Sequence, residues 1–427
     1  MSIVLSPDQQ IVYDKLYRYL KSPADNKEFR LGGLAGTGKS TLLSKFVQEN
    51  SGLGQVAAAT FTGKAAERLL QTNLARYAKV STLHKLLYEP RFDEDTKEFL
   101  GFELRETIEP IVFIDEASMV PREFYEILMN FLNNPSGGLK KLVFVGDHGQ
   151  LPPVEVSKEV GAEPFNVVSE HLLDAKLEKI HRQAEGSPII KLAHAIRNCI
   201  SINEVKEVVR TSGINVVTEE DAVRGCLHYG RQDSWHNVVN IVFRNQTRCR
   251  VNDKFVQQYS TKVGLPVIGL QNKSRKRDGS DKIVKGSSFG IPVSTGMPGS
   301  DTVFIANGSR GLLQEEPRLG VSTKDVRVQV VFLKAVEFNG IGIVQNIETW
   351  PNAWGNDKAQ ITYNRRFQEI LYIDWAFAIT CHKSQGSSWK VVLVWLSDLG
   401  SIRDVEFLKK WLYTAVTRAE ERLAFVV

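Results

Sequence analysis

The sequence predicts an α/β protein with two parallel-sheet domains. Three observations carry that prediction. Short apolar strands alternate with amphipathic helical stretches in the first half, a second set of the same kind closes the chain, and the composition is that of an average globular protein. Of 427 residues, 42% are hydrophobic and 24% charged, which supports sizeable buried cores. Those proportions exclude disordered, collagen-like and disulfide-scaffold classes. At roughly 150 residues per domain the length suggests about three domains, so the two α/β domains leave room for inserted pieces.

In the first half, Phe29-Arg30-Leu31, Val56-Ala57-Ala58-Ala59, Ile111 to Ile114 and Leu142 to Val145 are strand-sized runs bounded by Gly, Asp or Thr. Leu42, Leu43, Phe46 and Val47 recur with helical spacing just after the first of them. Near-continuous apolar strands alternating with helices belong to parallel sheets covered on both faces. The second set is Val238 to Phe243, Leu371-Tyr372-Ile373, Val391 to Val394 and Leu423 to Val427.

Two segments break the pattern. Residues 88–109 are charged and aromatic, with Phe92 and Phe99 flanking the acidic turn Asp93-Glu94-Asp95-Thr96, and read as a hairpin. Residues 271–300 begin basic and become rich in Gly, Ser and Pro, which predicts a mobile loop. Beyond them, Val326 to Ile347 alternates like a small antiparallel sheet. Trp350 and Trp354 read as core residues or as base-stacking platforms, and Trp375 as core.

The four cysteines (Cys199, Cys226, Cys249, Cys381) form no C-x-x-C pair and read as reduced thiols rather than a disulfide frame or zinc site. No apolar run approaches the ~18 residues of a membrane span, and Met1 to Ser6 lacks the basic and long apolar regions of a secretion signal. The expectation is a cytoplasmic protein with no membrane partner. Lys plus Arg number 54 against 49 Asp plus Glu, a net charge of +5. Such a balance is compatible with a nucleic-acid partner without demanding one.

Gly33-Leu34-Ala35-Gly36-Thr37-Gly38-Lys39-Ser40 fits G-x-x-x-x-G-K-[ST] between a strand and a helix. Glycines there let backbone N–H groups curl around phosphates, and the helix N-terminus adds positive potential. Gly33, Gly36, Thr37, Gly38, Lys39, Ser40 and Thr41 are therefore candidate ATP ligands. Lys39 would neutralise β- and γ-phosphate charge, and Ser40 would ligate Mg2+. Ile111 to Ile114 runs into Asp115-Glu116, adjacent carboxylates at the end of a buried strand. Alone, such a pair reads as a helix cap and a first-turn acid. Beside a phosphate loop, Asp115 would hold the magnesium and Glu116 would orient or deprotonate the attacking water. Leu142 to Val145 leads into Gly146-Asp147-His148-Gly149-Gln150-Leu151-Pro152-Pro153, either a plain turn or a loop whose Gln150 senses the γ-phosphate.

Read in order, these motifs continue with Thr60-Phe61-Thr62-Gly63-Lys64-Ala65-Ala66, Ser81-Thr82-Leu83-His84 and Ile180-His181-Arg182-Gln183. Thr380-Cys381-His382-Lys383-Ser384-Gln385-Gly386 and Tyr413 to Ala419, with Arg418, close the series. The combination resembles a superfamily-one DNA helicase of the RecD-like, Dda-like branch typical of bacteria and their phages. The likeness covers both α/β domains and weakens over 253–370. It implies two RecA-like P-loop motor domains, residues 1–87 with 110–180 and residues 181–270 with 371–427. A hairpin wedge at 88–109 and a β-rich, SH3-like insertion at 271–370 would complete the chain. The wedge would place an aromatic, Phe99 or Phe102, against the last base pair.

The resemblance implies ATP and Mg2+ as cofactors, with Gln9 reading adenine, Gln385 and Gly386 near the nucleotide, and Arg182 and Arg418 reaching the γ-phosphate. Such arginines are worth roughly 10³–10⁵ in rate. His181 stands where relatives often put a tyrosine against the adenine. Thr60, Thr62, Lys64, Ser81, Thr82, His84, Thr380, His382 and Lys383 would follow the backbone of single-stranded DNA. Short hydroxyls at helix starts suit phosphate oxygens, and they suit helix capping equally well. The expected activity is 5′ to 3′ translocation and duplex unwinding by a monomer at single-strand/duplex junctions, with replication or recombination proteins as partners. The alternatives are an RNA motor of related architecture and an ATP-switched loader that does not unwind.

Overall fold

Apolar runs too short for helices pair into sheets, and the helical stretches between them cover the sheet faces. The structure, a computed structural model, describes residues 4–22, 28–92, 99–153, 165–179, 187–269, 273–276, 302–305, 310–322, 329–338, 342–349 and 373–427. The chain divides into two compact units, Met1–Ser187 and Pro188–Val427.

The first unit contains α1 (Pro7–Lys21), β1 (Glu28–Gly33), α2 (Lys39–Glu49), β2 (Val56–Thr60), α3 (Gly63–Leu70), β3 (Lys79–Thr82) and α4 (Leu83–Leu87). It continues with β4 (Tyr88–Phe92), β5 (Phe99–Leu104), β6 (Ile111–Asp115), α5 (Arg122–Asn133), β7 (Lys141–Gly146) and β8 (Ala175–Leu177). Its main sheet runs β3-β2-β6-β7-β1-β8, every neighbour parallel. Side chains alternate across the pleat. Phe113, Val143 and Val145 face Leu16, Leu42 and Phe46 of α1 and α2. Val112, Ile114 and Phe144 face Leu87 and Leu128 on the other side. The strands are apolar along their whole length because both faces are covered.

Strands β4 and β5 form an antiparallel hairpin, pairing Tyr88 with Leu104 through to Phe92 with Phe99. The acidic turn at 93–96 lies outside the described residues.

The second unit opens with α6 (Pro188–Asn198), α7 (Ile202–Thr211), β9 (Asn215–Val217), α8 (Glu219–Asp233), β10 (Val238–Val242) and α9 (Asn245–Val256). Then come β11 (Pro266–Gly269), β12 (Lys273–Lys276), β13 (Thr302–Ile305), β14 (Arg310–Leu313), β15 (Arg318–Val321), β16 (Gln329–Phe338) and β17 (Gly342–Thr349). It ends with β18 (Ile373–Trp375), β19 (Ala378–Thr380), α10 (Cys381–Ser384), β20 (Trp389–Trp395), α11 (Val405–Val416) and β21 (Ala419–Val426). A parallel sheet in the order β19-β10-β20-β21-β9 stands beside an antiparallel one, β15-β16-β14-β11-β18, with β17 on β16. One core serves both: Val267, Leu333 and Ile373 pack with Val242, Phe377 and Trp395.

Two expectations change. The apolar strand containing Ile373 belongs to the antiparallel sheet, where Ile373 pairs with Gly269; the parallel neighbour of β10 is Ala378–Thr380. The chain bends between sheets within three residues, so one apolar run feeds two partners. The basic stretch expected as loop begins as a strand, Lys273–Lys276 pairing with Thr302–Ile305. Trp375 is buried in the core as expected, whereas Trp350 and Trp354 lie outside the described residues. Among the described residues no helix is long and apolar enough to cross a membrane.

Two glycines of α8 test the second core. A Cβ on Gly230 would meet the buried Trp235 indole at 2.3 Å, whereas one on Gly225 meets nothing within 4 Å. Trp235 cannot retreat, because its ring packs edge-on against Phe377 with centroids 4.8 Å apart. Gly230→Ala should destabilise the protein by about 1–3 kcal/mol, and Gly225→Ala should stabilise it by about 0.5–1 kcal/mol, read by denaturant unfolding. Equal effects would contradict this packing.

Candidate nucleotide site and strand-facing edge

The phosphate loop follows β1 and ends in the first turn of α2. Gly36 and Gly38 sit at φ 83° and 78°, the left-handed region that side chains resist. Gly33 is needed for a different reason, since a Cβ there would lie 2.7 Å from Thr37 Oγ1. Thr37 is fully buried and donates through Oγ1 to Leu34 O at 2.9 Å. Gly38 caps α2 without a side chain, leaving the amides of Lys39, Ser40 and Thr41 for an anion. Lys39 Nζ turns back onto its own loop, donating to Gly33 O at 2.7 Å and Leu34 O at 2.9 Å. Gln9 completes the capping box of α1 with Ser6 and donates from Nε2 to Thr37 O at 3.3 Å. It is therefore tied to the phosphate loop.

Ser40 Oγ donates to Asp115 Oδ2 at 3.2 Å, joining the helix start to the end of β6. Asp115 Oδ1 accepts from the Glu116 amide at 2.9 Å. Burial, reinforced by the Glu116 charge and opposed by that amide and by Lys39, pushes the Asp115 carboxyl up to about 6. A hydroxyl and a buried carboxylate are the hard-oxygen donors that magnesium takes, with phosphate and water filling the remaining positions. Among the described residues no cluster of three or more His, Cys, Asp or Glu could hold a metal by itself. Glu116 has φ 52°, uncommon for a side-chain-bearing residue and often a mark of functional sites. Gln150 is buried in the loop after β7.

The strand-facing candidates of the first unit share the sheet edge with these groups. Thr60 is in register with Thr82 on one side and with Asp115 on the other, so the three residues form a row at the carboxyl ends of β3, β2 and β6. Their hydroxyls are locally engaged. Thr60 Oγ1 donates to Thr62 O at 2.8 Å, and Thr62 Oγ1 accepts from the Ala65 amide at 3.3 Å. Ser81 Oγ donates to Thr82 O at 3.2 Å, and Thr82 caps α4 by accepting from the Lys85 amide at 3.4 Å. His84 packs 4.6 Å from Phe124 and 6.1 Å from Phe61, and burial holds its imidazole below the usual range. Lys64 lies on α3, Phe99 opens β5, and Arg182 lies outside the described residues.

In the second unit, Thr380 ends β19, and His382 and Lys383 lie half-buried on α10. Gln385 is buried, and Gly386 takes φ 73°. Arg418 is also buried, donating to Thr414 O at 3.0 Å, Ser387 O at 3.2 Å and Thr417 Oγ1 at 3.1 Å. It thereby ties the end of α11 to the loop that carries Gln385 and Gly386. Sequence reading missed the support behind this loop. Arg248 donates to Asp374, both buried, and Asn252 holds Trp375 O at 3.1 Å and the Ala378 amide at 2.8 Å. The i, i+4 spacing of Arg248 and Asn252 on one face of α9 was the available signal. Burial, followed by the Arg248 charge, lowers Lys383 to about 8.

The Asp115 shift has a consequence for stability. Its folded pKa is raised from 3.8 to about 6, so the folded protein holds the proton more tightly. The stability it contributes is full below pH 4, declines as pH rises to 6, and stays lost above. Asp115→Asn removes the charge that must be buried at pH 8. The variant should match or exceed the parent's stability there, by up to on the order of 2 kcal/mol, read by denaturant unfolding. A large loss of stability at pH 8 would contradict this electrostatic account.

A family profile described as an AAA domain matches residues 19–219, and one described as a UvrD-like helicase C-terminal domain matches residues 375–426. The chain is 25% identical to an uncharacterised protein of Methanocaldococcus jannaschii, over 93% of this chain and 36% of the relative. It is 32% identical to the ATP-dependent RecD2 DNA helicase of Deinococcus radiodurans, over 45% of this chain and 24% of the relative. It thus spans about a third or less of either relative's length. A crystal structure of Pif1 helicase from Bacteroides in complex with ADP-AlF3 and ssDNA shares the fold, with a TM-score of 0.52 at 19% identity over 99% of this chain and 92% of that one. An AAA domain profile followed by a UvrD-like helicase C-terminal profile, with RecD and Pif1 proteins among the relatives, makes the chain similar to the RecD- and Pif1-like superfamily-one helicases.

Proposed function

We propose that this protein is an ATP- and magnesium-dependent motor that moves 5′ to 3′ along single-stranded DNA and separates duplex DNA at junctions. It would act as a monomer in the cytoplasm, alongside replication or recombination proteins. The reading rests on the row Thr82, Thr60, Asp115, which sets strand-facing candidates and nucleotide chemistry on one sheet edge.

Lys39 exchanges the carbonyls of Gly33 and Leu34 for the β- and γ-phosphates, and the first-turn amides of α2 take the remaining charge. Ser40 and Asp115 would hold a magnesium ion, which would neutralise phosphate charge. Glu116 orients the attacking water and accepts its proton, while Gln150 hydrogen-bonds the γ-phosphate. Gln9 reads the adenine, Gln385 and Gly386 adjoin the nucleotide, and Arg182 and Arg418 stabilise transferring charge. Thr60, Thr62, Lys64, Ser81, Thr82 and His84 contact the strand in the first unit, and Thr380, His382 and Lys383 in the second. Backbone contacts of this kind position DNA without reading its sequence.

ATP hydrolysis should be slow without polymer and rise on single-stranded DNA far more than on RNA, with the stimulation weakening as salt increases. Unwinding should require a 5′ tail. Unwinding from 3′ tails alone, or stimulation by RNA alone, would refute the assignment.

The hairpin β4–β5 is the wedge of this reading, with Phe99 or Phe102 against the terminal base pair. Replacing residues 93–98 by a short Gly-Ser turn should impair unwinding much more than strand-stimulated hydrolysis. Equal loss of both would mean that the hairpin supports the motor fold instead.

A further inference from the structure

The turn that follows Glu116 contains a buried hydroxyl that the mechanism above does not use. Ser118 is 0% exposed, and among the described residues its Oγ has no hydrogen-bond partner. Gln150 is 3% exposed, and its Oε1 has none either. Leaving a polar atom buried and unpaired costs about 1–3 kcal/mol, so such atoms call for an explanation. A buried serine ordinarily bonds back to a nearby carbonyl. Ser384 of the second unit does so, donating to Cys381 O at 2.6 Å; Ser118 does not.

The two orphan atoms belong to neighbouring turns. A Cβ on Gly146 would lie 3.1 Å from the Ser118 amide nitrogen and 3.3 Å from that of Ala117. The end of β7 therefore packs backbone to backbone on the turn after Glu116. Both turns are otherwise fixed. Met119 N donates to Glu116 O at 3.1 Å and Val120 N to Ala117 O at 3.1 Å. On the other side, Gly149 N donates to Asp147 Oδ1 at 2.9 Å and Gln150 N to Asp147 O at 3.1 Å. One orphan is a hydroxyl that can donate, and the other is an amide oxygen that can only accept.

We propose that Ser118 is a positioning residue: with nucleotide bound, its hydroxyl donates to Gln150 Oε1 and so holds the Gln150 amide NH2 toward the γ-phosphate. The inference deepens the proposed function and rests on it. The two turns as they stand leave both atoms unsatisfied, and closing the pair recovers that cost in the state where Gln150 works. Ser118 then links the turn bearing Glu116 to the loop bearing Gln150, so the two groups are oriented together.

The test uses the full-length chain with single-stranded DNA present and ATP varied. Ser118→Ala should lower kcat on the order of tenfold with little change in the KM for ATP. Its nucleotide-free thermal midpoint should be unchanged or higher, because an unpaired buried hydroxyl has been removed. Ser118→Cys, a weaker donor of similar size, should fall between the two. Ser118→Ala combined with Gln150→Ala should be no slower than Gln150→Ala alone, because the hydroxyl acts only through that amide. Wild-type kcat in Ser118→Ala, a lowered midpoint accompanying the loss, or multiplied effects in the double variant would each overturn the inference. If the wild-type protein showed no strand-stimulated turnover, the functional reading would fall, and this inference with it.

Discussion

Parallel pairing of β2 with β6 and β3 is the constraint from which the first unit's chemistry follows. In a parallel sheet all strands end on the same side, so whatever residues terminate them are brought to one edge. The register that aligns Val56 with Ile111 also aligns Thr60 with Asp115 four residues later. A slip by one residue would turn Ile114 and Phe113 to the wrong faces, breaking both hydrophobic layers at once. Core packing therefore fixes the position of Asp115, and through Ser40 it fixes the phosphate loop as well. The apolar interior and the polar edge are two readings of one register.

In each unit by itself, the contacts of one candidate cation resemble placeholders. Lys39 holds loop carbonyls and Arg418 holds the carbonyls of Thr414 and Ser387, all of them weaker partners for a cation than phosphate. Replacing a carbonyl by a phosphate oxygen exchanges one hydrogen bond for a stronger one and leaves no buried cation bare. The same logic explains why the Asp115 carboxyl rises to about 6, since burial and Glu116 both resist a second negative charge. A bound cation would relieve that cost. Lys39 and Arg418 thus each have a tolerable partner that a phosphate oxygen can replace.

Much of this was legible in the sequence, for identifiable reasons. The phosphate loop and Asp115-Glu116 were readable because their chemistry is local, with glycines where φ must be positive and carboxylates at a strand end. The parallel sheets followed from apolar runs, whose burial on both faces leaves an unambiguous signature. The bend from β18 to β19 was not legible, because periodicity cannot tell which sheet an apolar run will join. Nor was the engagement of Thr60, Thr62, Ser81 and Thr82, where capping and phosphate contact call for the same residue types. These hydroxyls shape the turns that the proposed strand would touch, so the capping and strand-facing readings are compatible: a cap that fixes a helix start also fixes the amides around it.

The buried pair Arg248 and Asp374 shows the same economy in the second unit. Burying two charges costs more than burying apolar side chains of equal size, and their mutual attraction often fails to recover the difference. Such a pair is hard to justify by stability alone. Its position offers another reason, because Asp374 lies in β18, six residues before Thr380, and Asn252 on the same face of α9 grips the bend between them. The pair therefore orients the segment that delivers Thr380, His382 and Lys383. It also sets the charge balance around Lys383, where Arg248 opposes a second cation and Asp374 favours it. Burial lowers Lys383 to about 8, and a phosphate beside it would offset that desolvation. An oriented chain beside a partly desolvated cation suits the proposed role of this segment in following a phosphate backbone.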